Sequence, residues 1–73
     1  MPLEGLIFQI KINGKVKILP ARINLSKLVI NLKIPVKKVA IELNQEIIDK
    51  KNLNRIILKK NDLIEIVHFI GGG

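Results

Sequence analysis

Two runs of alternating residues meet at Asn13-Gly14. Leu6, Phe8, Ile10 and Ile12 alternate with Ile7, Gln9 and Lys11, and Val16 and Ile18 then alternate with Lys15 and Lys17. A period of two puts every second side chain on one face of a strand. Both central positions of a type I′ turn need positive φ, which Asn and Gly supply readily, so the dipeptide predicts a tight two-strand hairpin. The alternation assigns Val16 and Ile18 to the buried face and the lysines to the outer one, and Pro20 ends the second strand.

After the hairpin the period changes. Leu25, Leu28, Val29 and Leu32 stand at i, i+3, i+4 and i+7, one stripe of a helix, with Lys27 and Lys33 on its solvent side. Asn24 is a competent N-cap, and Pro35 drives Ile34 out of the α region. A helix of two to three turns is too short to stand alone and must pack on the sheet. Val39, Ile41 and Leu43 alternate with Ala40 and Glu42 in a third strand, and Asn44-Gln45 turns into a brief fourth one at residues 46–48. Residues 49–55 are polar around Leu53 and predict an irregular turn or a 3₁₀ piece. Asn61-Asp62 turns again, and residues 63–70 form the last strand, with Ile64 and Ile66 on one face and Glu65 and Val67 on the other.

The order β-β-α-β-β-β predicts an α+β domain over residues 1–73, a mixed four- to five-stranded sheet with one helix across one face. This is the plan of the ubiquitin-like β-grasp fold, whose last strand lies parallel to the first. An all-antiparallel sheet with one helix satisfies the same periodicities.

With 73 residues and no cysteine, the core must hold the domain without disulfides or a Cys-based metal cluster. A chain this short buries only about 60% of the surface its unfolded form exposes. An apolar content of 48% is enough for that core. A pocket of roughly 300 Å³ or more would consume most of the domain, and the chain has no Tyr, no Trp and a single His. Composition therefore points to a binding or carrier module rather than an enzyme.

The net charge of +7 lies entirely in residues 1–38, where seven lysines and Arg22 face Glu4 alone. In the remainder Lys50, Lys51, Arg55, Lys59 and Lys60 are offset by Glu42, Glu46, Asp49, Asp62 and Glu65. Binders of single-stranded nucleic acid add aromatic stacking worth about 1–3 kcal/mol per base. Phe8, His68 and Phe69 cannot make such a platform, so nucleic acid is the weaker reading of the charge. Abundant Asn, Lys and Ile also fit an AT-rich genome. Residues 1–5 lack the features of a signal peptide and no run reaches the ~18 apolar residues of a membrane span. The expected setting is the cytoplasm, or the stroma for a plastid-encoded chain, with no membrane partner.

The last strand runs into Gly71, Gly72 and Gly73. Glycine costs more backbone entropy to order than any other residue. A frayed terminus is the plain reading. The functional one is that a flexible tail without Cβ atoms can thread extended through a narrow channel and present the Gly73 carboxylate. A carboxylate is a poor electrophile until converted to an acyl-adenylate, from which a nucleophile can displace AMP. The chain has no phosphate-binding loop of its own, so ATP would be used in trans by a partner, with no cofactor bound here.

Residues 39–44 (Val-Ala-Ile-Glu-Leu-Asn) and 58–73, above all the segment from Asp62 to Gly73, resemble the ThiS family, the sulfur carriers of thiamin biosynthesis. The resemblance covers residues 8–73 and is weaker before Val39. A bare terminal Gly-Gly is shared with the molybdopterin-synthase small subunit and with ubiquitin-like modifiers. ThiS-like chemistry implies that Gly73 is adenylated by a ThiF-like adenylyltransferase and converted to a thiocarboxylate, with sulfur drawn through a cysteine desulfurase or similar donor. The sulfur then passes to the thiazole synthase ThiG. Carriers for molybdopterin synthesis or tRNA thiolation, and protein modifiers, are the alternatives within this chemistry, and a monomer is the simplest state for a shuttle. Three departures from the family pattern stand out: residues 1–6 precede its usual start, Leu32-Lys33-Ile34 lacks the glycine that often follows the helix, and Asn61 stands where a glycine often precedes the last strand. Asn tolerates the left-handed conformation, so the last is mild.

Strand parity puts Val67 and Phe69 on the face away from the helix, with Glu65 and near Ala40 and Glu42. An exposed apolar patch beside a reactive terminus is a candidate docking surface, with ordinary edge packing as the alternative. His68 shares the parity of Ile66 and reads as structural. Glu42, Glu46, Asp49, Asp62 and Glu65 read as solvated rather than as a metal site, because Mg²⁺ sites usually recruit phosphate oxygens too.

Overall fold

The computed structural model describes residues 6–69. Most of the N-terminal extension (1–5), the end of the expected last strand (Ile70) and the tail glycines Gly71, Gly72 and Gly73 lie outside the described residues.

Strands β1 (Ile7–Ile12) and β2 (Lys15–Pro20) form the hairpin, and α1 (Leu25–Asn31) follows. A 3₁₀ turn (Val36–Lys38) leads into β3 (Val39–Leu43), β4 (Glu46–Ile47), a second 3₁₀ segment (Lys50–Arg55) and β5 (Leu63–His68). The sheet order is β2-β1-β5-β3-β4. Strand β5 is antiparallel to β3, from Val39 opposite His68 to Leu43 opposite Ile64, and parallel to β1, with Ile12 beside Ile64. That parallel pair excludes the all-antiparallel alternative and makes the topology β-grasp.

Asn13 (φ 50°) and Gly14 (φ 82°) both have positive φ, as the hairpin reading requires. The parity expected for β2 is corrected. A two-residue turn sets Ile12 opposite Lys15, Ile10 opposite Lys17 and Phe8 opposite Leu19. Residues directly opposite share a face. Lys15 and Lys17 therefore have the parity of the helix side and lie exposed at the sheet edge, and Leu19 enters the core. Val16 and Ile18 project from the other face, 54% and 55% exposed.

The helix sits where its stripe requires. Leu25, Leu28 and Val29 are buried against Ile10, Leu19, Val39, Ile41 and Ile64 of the sheet, with Leu53 and Leu58 completing the core. Asn24 Oδ1 accepts the Lys27 N–H at 2.7 Å, the expected N-cap. Past the 3₁₀ segment, residues 56–58 are stitched to the start of α1: the Leu25 N–H donates to the Ile56 carbonyl and the Leu58 N–H to the Ile23 carbonyl.

The helix ends in a Schellman arrangement. The Ile34 N–H donates to the Val29 carbonyl at 3.1 Å and the Lys33 N–H to the Ile30 carbonyl at 3.0 Å. This geometry needs a left-handed residue, usually Gly, just past the helix. Lys33 occupies it at φ 57°, and the motif closes without a glycine. A side chain there costs roughly 1–2 kcal/mol, partly offset by the smaller unfolded-state entropy of lysine. Lys33→Gly should therefore stabilise the protein by about 0.5–1 kcal/mol in urea denaturation with an unchanged m-value; a loss of stability would show that the Lys33 side chain contributes packing.

Candidate functional site

The candidate site is the end of β5 and the sheet surface around it. Parallel pairing with β1 begins beside Lys11 and antiparallel pairing with β3 continues to His68, so β5 is the central strand. Beyond the strand, the Phe69 N–H donates to the Lys38 carbonyl at 2.9 Å. Lys50 Nζ lies over the Phe69 ring, 5.2 Å from its centroid. Such a cation–π contact at an exposed site is worth about 0.5–1 kcal/mol. Backbone and ring of the residue preceding the tail segment are thus both held.

Two side-chain clamps fix where β5 begins. Asp62 Oδ1 accepts from Asn44 Nδ2 at 3.0 Å and Oδ2 from the Lys59 N–H at 2.7 Å. Asn44 Oδ1 in turn accepts the Leu63 N–H at 2.9 Å, tying the β3–β4 turn to the first residue of β5. Asp62 is 8% exposed, which corrects its reading as solvated: its carboxylate is spent on internal donors. Asp49 is likewise engaged, accepting the Lys51 N–H at 2.9 Å at the start of the 3₁₀ segment. Across the sheet, Asn13 Oδ1 accepts the Ile66 N–H at 2.8 Å, and Asn13 Nδ2 donates to the Ile66 carbonyl at 3.3 Å. The turn asparagine thereby acts as one more rung of the β1–β5 ladder.

The structure brings the expected surface residues together on the face opposite the helix. Ala40 lies opposite Val67 and Glu42 opposite Glu65. Val67 and Phe69 are each about half exposed, at 53% and 52%. Ile7, Val16, Ile18, Ile47 and Leu63 add exposed apolar surface that sequence parity left unassigned or placed inside. Their sites follow from the registers, with Ile18 opposite Gln9, Val16 opposite Lys11, Leu63 beside Lys11 and Ile47 opposite Glu42. His68 has the parity of Ile66 but is exposed at the strand's end. Among the described residues no three His, Cys, Asp or Glu side chains converge as a metal site, and no helix is long and apolar enough to cross a membrane.

A five-stranded mixed sheet under one helix, with a held exit residue beside a half-apolar open face, defines a β-grasp protein. A crystal structure of the thiamine biosynthesis protein ThiS from Geobacter metallireducens matches it with a TM-score of 0.80 at 28% identity, covering 90% of this chain and all of that one. The ThiS family model matches residues 10–73, and the chain belongs to that family. Curated relatives are thiazole synthases from Magnetococcus marinus, 35% identical over 65 residues, and Paramagnetospirillum magneticum, 37% over 62 residues. These matches span 89% and 85% of this chain but only 20% and 19% of the synthases. The sulfur carrier protein ThiS of Bacillus subtilis is 51% identical over 37 residues, 51% of this chain and 56% of that protein.

The Asn13 clamp is separable from the turn it sits in. Asn13→Gly keeps a residue suited to positive φ and removes both bonds to Ile66. It should cost about 1 kcal/mol and speed hydrogen exchange at the Ile66 amide. Unchanged exchange there would mean that the side chain adds nothing to the β1–β5 pairing.

Proposed function

We propose that this chain is a sulfur carrier for the thiazole moiety of thiamin. The observation that carries the reading is the family match running through residue 73, so that the glycine tail belongs to the matched region. A ThiF-like adenylyltransferase joins the Gly73 carboxylate to AMP, releasing pyrophosphate from ATP. The persulfide sulfur of a cysteine desulfurase or similar donor then displaces AMP, which departs with one carboxylate oxygen, and a thiol reductant cleaves the resulting acyl persulfide, its two electrons leaving a thiocarboxylate and freeing the donor's thiol. ThiG, the thiazole synthase, takes that sulfur. ATP is the partner's substrate, and the carrier contributes a reactive terminus rather than a catalyst.

The relatives support this reading. In the two thiazole synthases the region resembling this chain makes up about a fifth of the protein, so carrier-like and synthase-like segments share one polypeptide there. For this chain the reading is that the meeting with a thiazole synthase runs through Gly71 and Gly72 threading the partner's channel and through the open face formed by Val67, Phe69, Glu65, Ala40 and Glu42. Half-exposed apolar side chains suit such a surface, because their burial on docking is worth about 25 cal/mol per Å².

Intact mass spectrometry tests the chemistry. Incubation with a ThiF-like enzyme, ATP and a sulfur donor should add about 16 Da, oxygen exchanged for sulfur, localised to Gly73. Deleting Gly72 and Gly73 should abolish the gain. An unmodified mass under conditions that charge the Bacillus subtilis carrier would reject the proposal, as would a native chain continuing past Gly73.

The docking face has its own test. Phe69→Asp should abolish sulfur transfer while lowering stability by no more than about 1.5 kcal/mol, because the ring is half exposed and its contact with Lys50 is worth about 0.5–1 kcal/mol. A large stability loss would assign Phe69 to the core instead.

A further inference from the structure

We propose that the β2 edge and the groove beside it form a second docking site, distinct from the open sheet face, for an extended partner segment with apolar residues flanked by Asp or Glu. Strand β2 is terminal in the sheet, so among the described residues no strand lies along the outer side of its backbone. The two-residue turn makes Ile12 and Lys15 a hydrogen-bonded pair, followed by Ile10 with Lys17 and Phe8 with Leu19. The N–H and C=O groups of Val16 and Ile18 therefore point away from β1. Alongside them runs an open groove of about 370 Å³ lined by Ile12, Asn13, Lys15, Val16, Lys17 and Leu32. Ile12 and Leu32 are half-buried and form its apolar part, while Lys15 and Lys17 are exposed at its rim.

This surface fits one class of occupant. A strand laid along β2 gains main-chain hydrogen bonds from Val16 and Ile18 and can place alternate apolar side chains in the groove. Acidic flanks would meet Lys15 and Lys17. Edge lysines ordinarily discourage strand pairing. On a chain of net charge +7 they repel further copies of that same chain, yet they attract an acidic strand, so the charge selects rather than forbids. The groove lining contains no aromatic ring on which a nucleobase could stack, which favours a peptide over single-stranded nucleic acid. The site is built from β2, the turn and Leu32, and it stands or falls independently of sulfur transfer.

The test titrates the uniformly ¹⁵N-labelled full chain with the peptide acetyl-Asp-Asp-Val-Ile-Val-Ile-Asp-Asp-amide, with a version carrying Lys at the four Asp positions, and with a thymidine dodecanucleotide. Binding should shift the amides of Val16, Lys17, Ile18 and Leu32 saturably, leave Val67 unmoved, and slow hydrogen exchange at Val16 and Ile18. The double variant Lys15→Glu, Lys17→Glu should weaken the acidic peptide about tenfold or more while the circular dichroism spectrum is retained. Deleting Gly72 and Gly73 should leave peptide binding unchanged. The proposal is overturned by equal binding of the lysine peptide, by shifts centred on Val67 and Ala40, or by no shift at millimolar peptide. Displacement by the oligonucleotide, or concentration-dependent self-association at Val16 and Ile18 without peptide, would also overturn it.

Discussion

Because β5 lies between β1 and β3, its backbone pairing joins the N-terminal hairpin to everything that follows the helix. The pairing with β3 is five residues long and bridges residues 44–62, while the parallel pairing with β1 is short and closes most of the chain into a loop. Long-range pairing must repay that loop-closure entropy. Asn13 lengthens the short ladder with two side-chain bonds to Ile66, and Asp62 with Asn44 fixes the residue at which β5 enters. Once β5 is in register, Ile64 joins Ile10 and Ile41 beneath α1, and Val67 and Phe69 stand on the open side. A slip of one residue would exchange those two sets.

The same register divides the surface by chemistry. The helix covers one face, and the opposite face keeps Val16, Ile18, Leu63, Val67 and Ile47 in contact with solvent. Among the described residues nothing covers that aliphatic surface, and exposed apolar patches of this kind mark interaction sites. The lysines are divided, with Lys38 and Lys50 against Phe69 at the end of β5 and Lys15 and Lys17 on the hairpin, where they border the groove. The proposed docking face around β5 and the proposed acidic-strand site along β2 lie on different strands of the sheet.

Much of this could be read from residue pattern. The hairpin, the Asn24 cap, the helix stripe, the Leu53 anchor and the faces of β3 and β5 follow from local spacing, since each is decided within a few residues. Two readings failed for a physical reason. Val16 and Ile18 resemble core residues by hydrophobicity, but the two-residue turn pins Ile12 opposite Lys15, and turn geometry overrides composition. Asp62 resembles a surface acid, but the donors that satisfy it come from Asn44 and Lys59, and a distant donor leaves no local signature. Lys50 over Phe69 is of the same kind, a contact between residues that no periodicity connects.

The sequence by itself determined the order of elements, the location of the charge and the glycine tail with its ThiS-like surroundings, because these depend on neighbours along the chain. Tertiary structure alone decided that β5 runs parallel to β1, which side of β2 faces solvent, and which polar groups are consumed inside. Those outcomes depend on pairing between segments tens of residues apart, where many registers satisfy the same local pattern and only the combined burial of Ile10, Ile41 and Ile64 beneath α1 selects one.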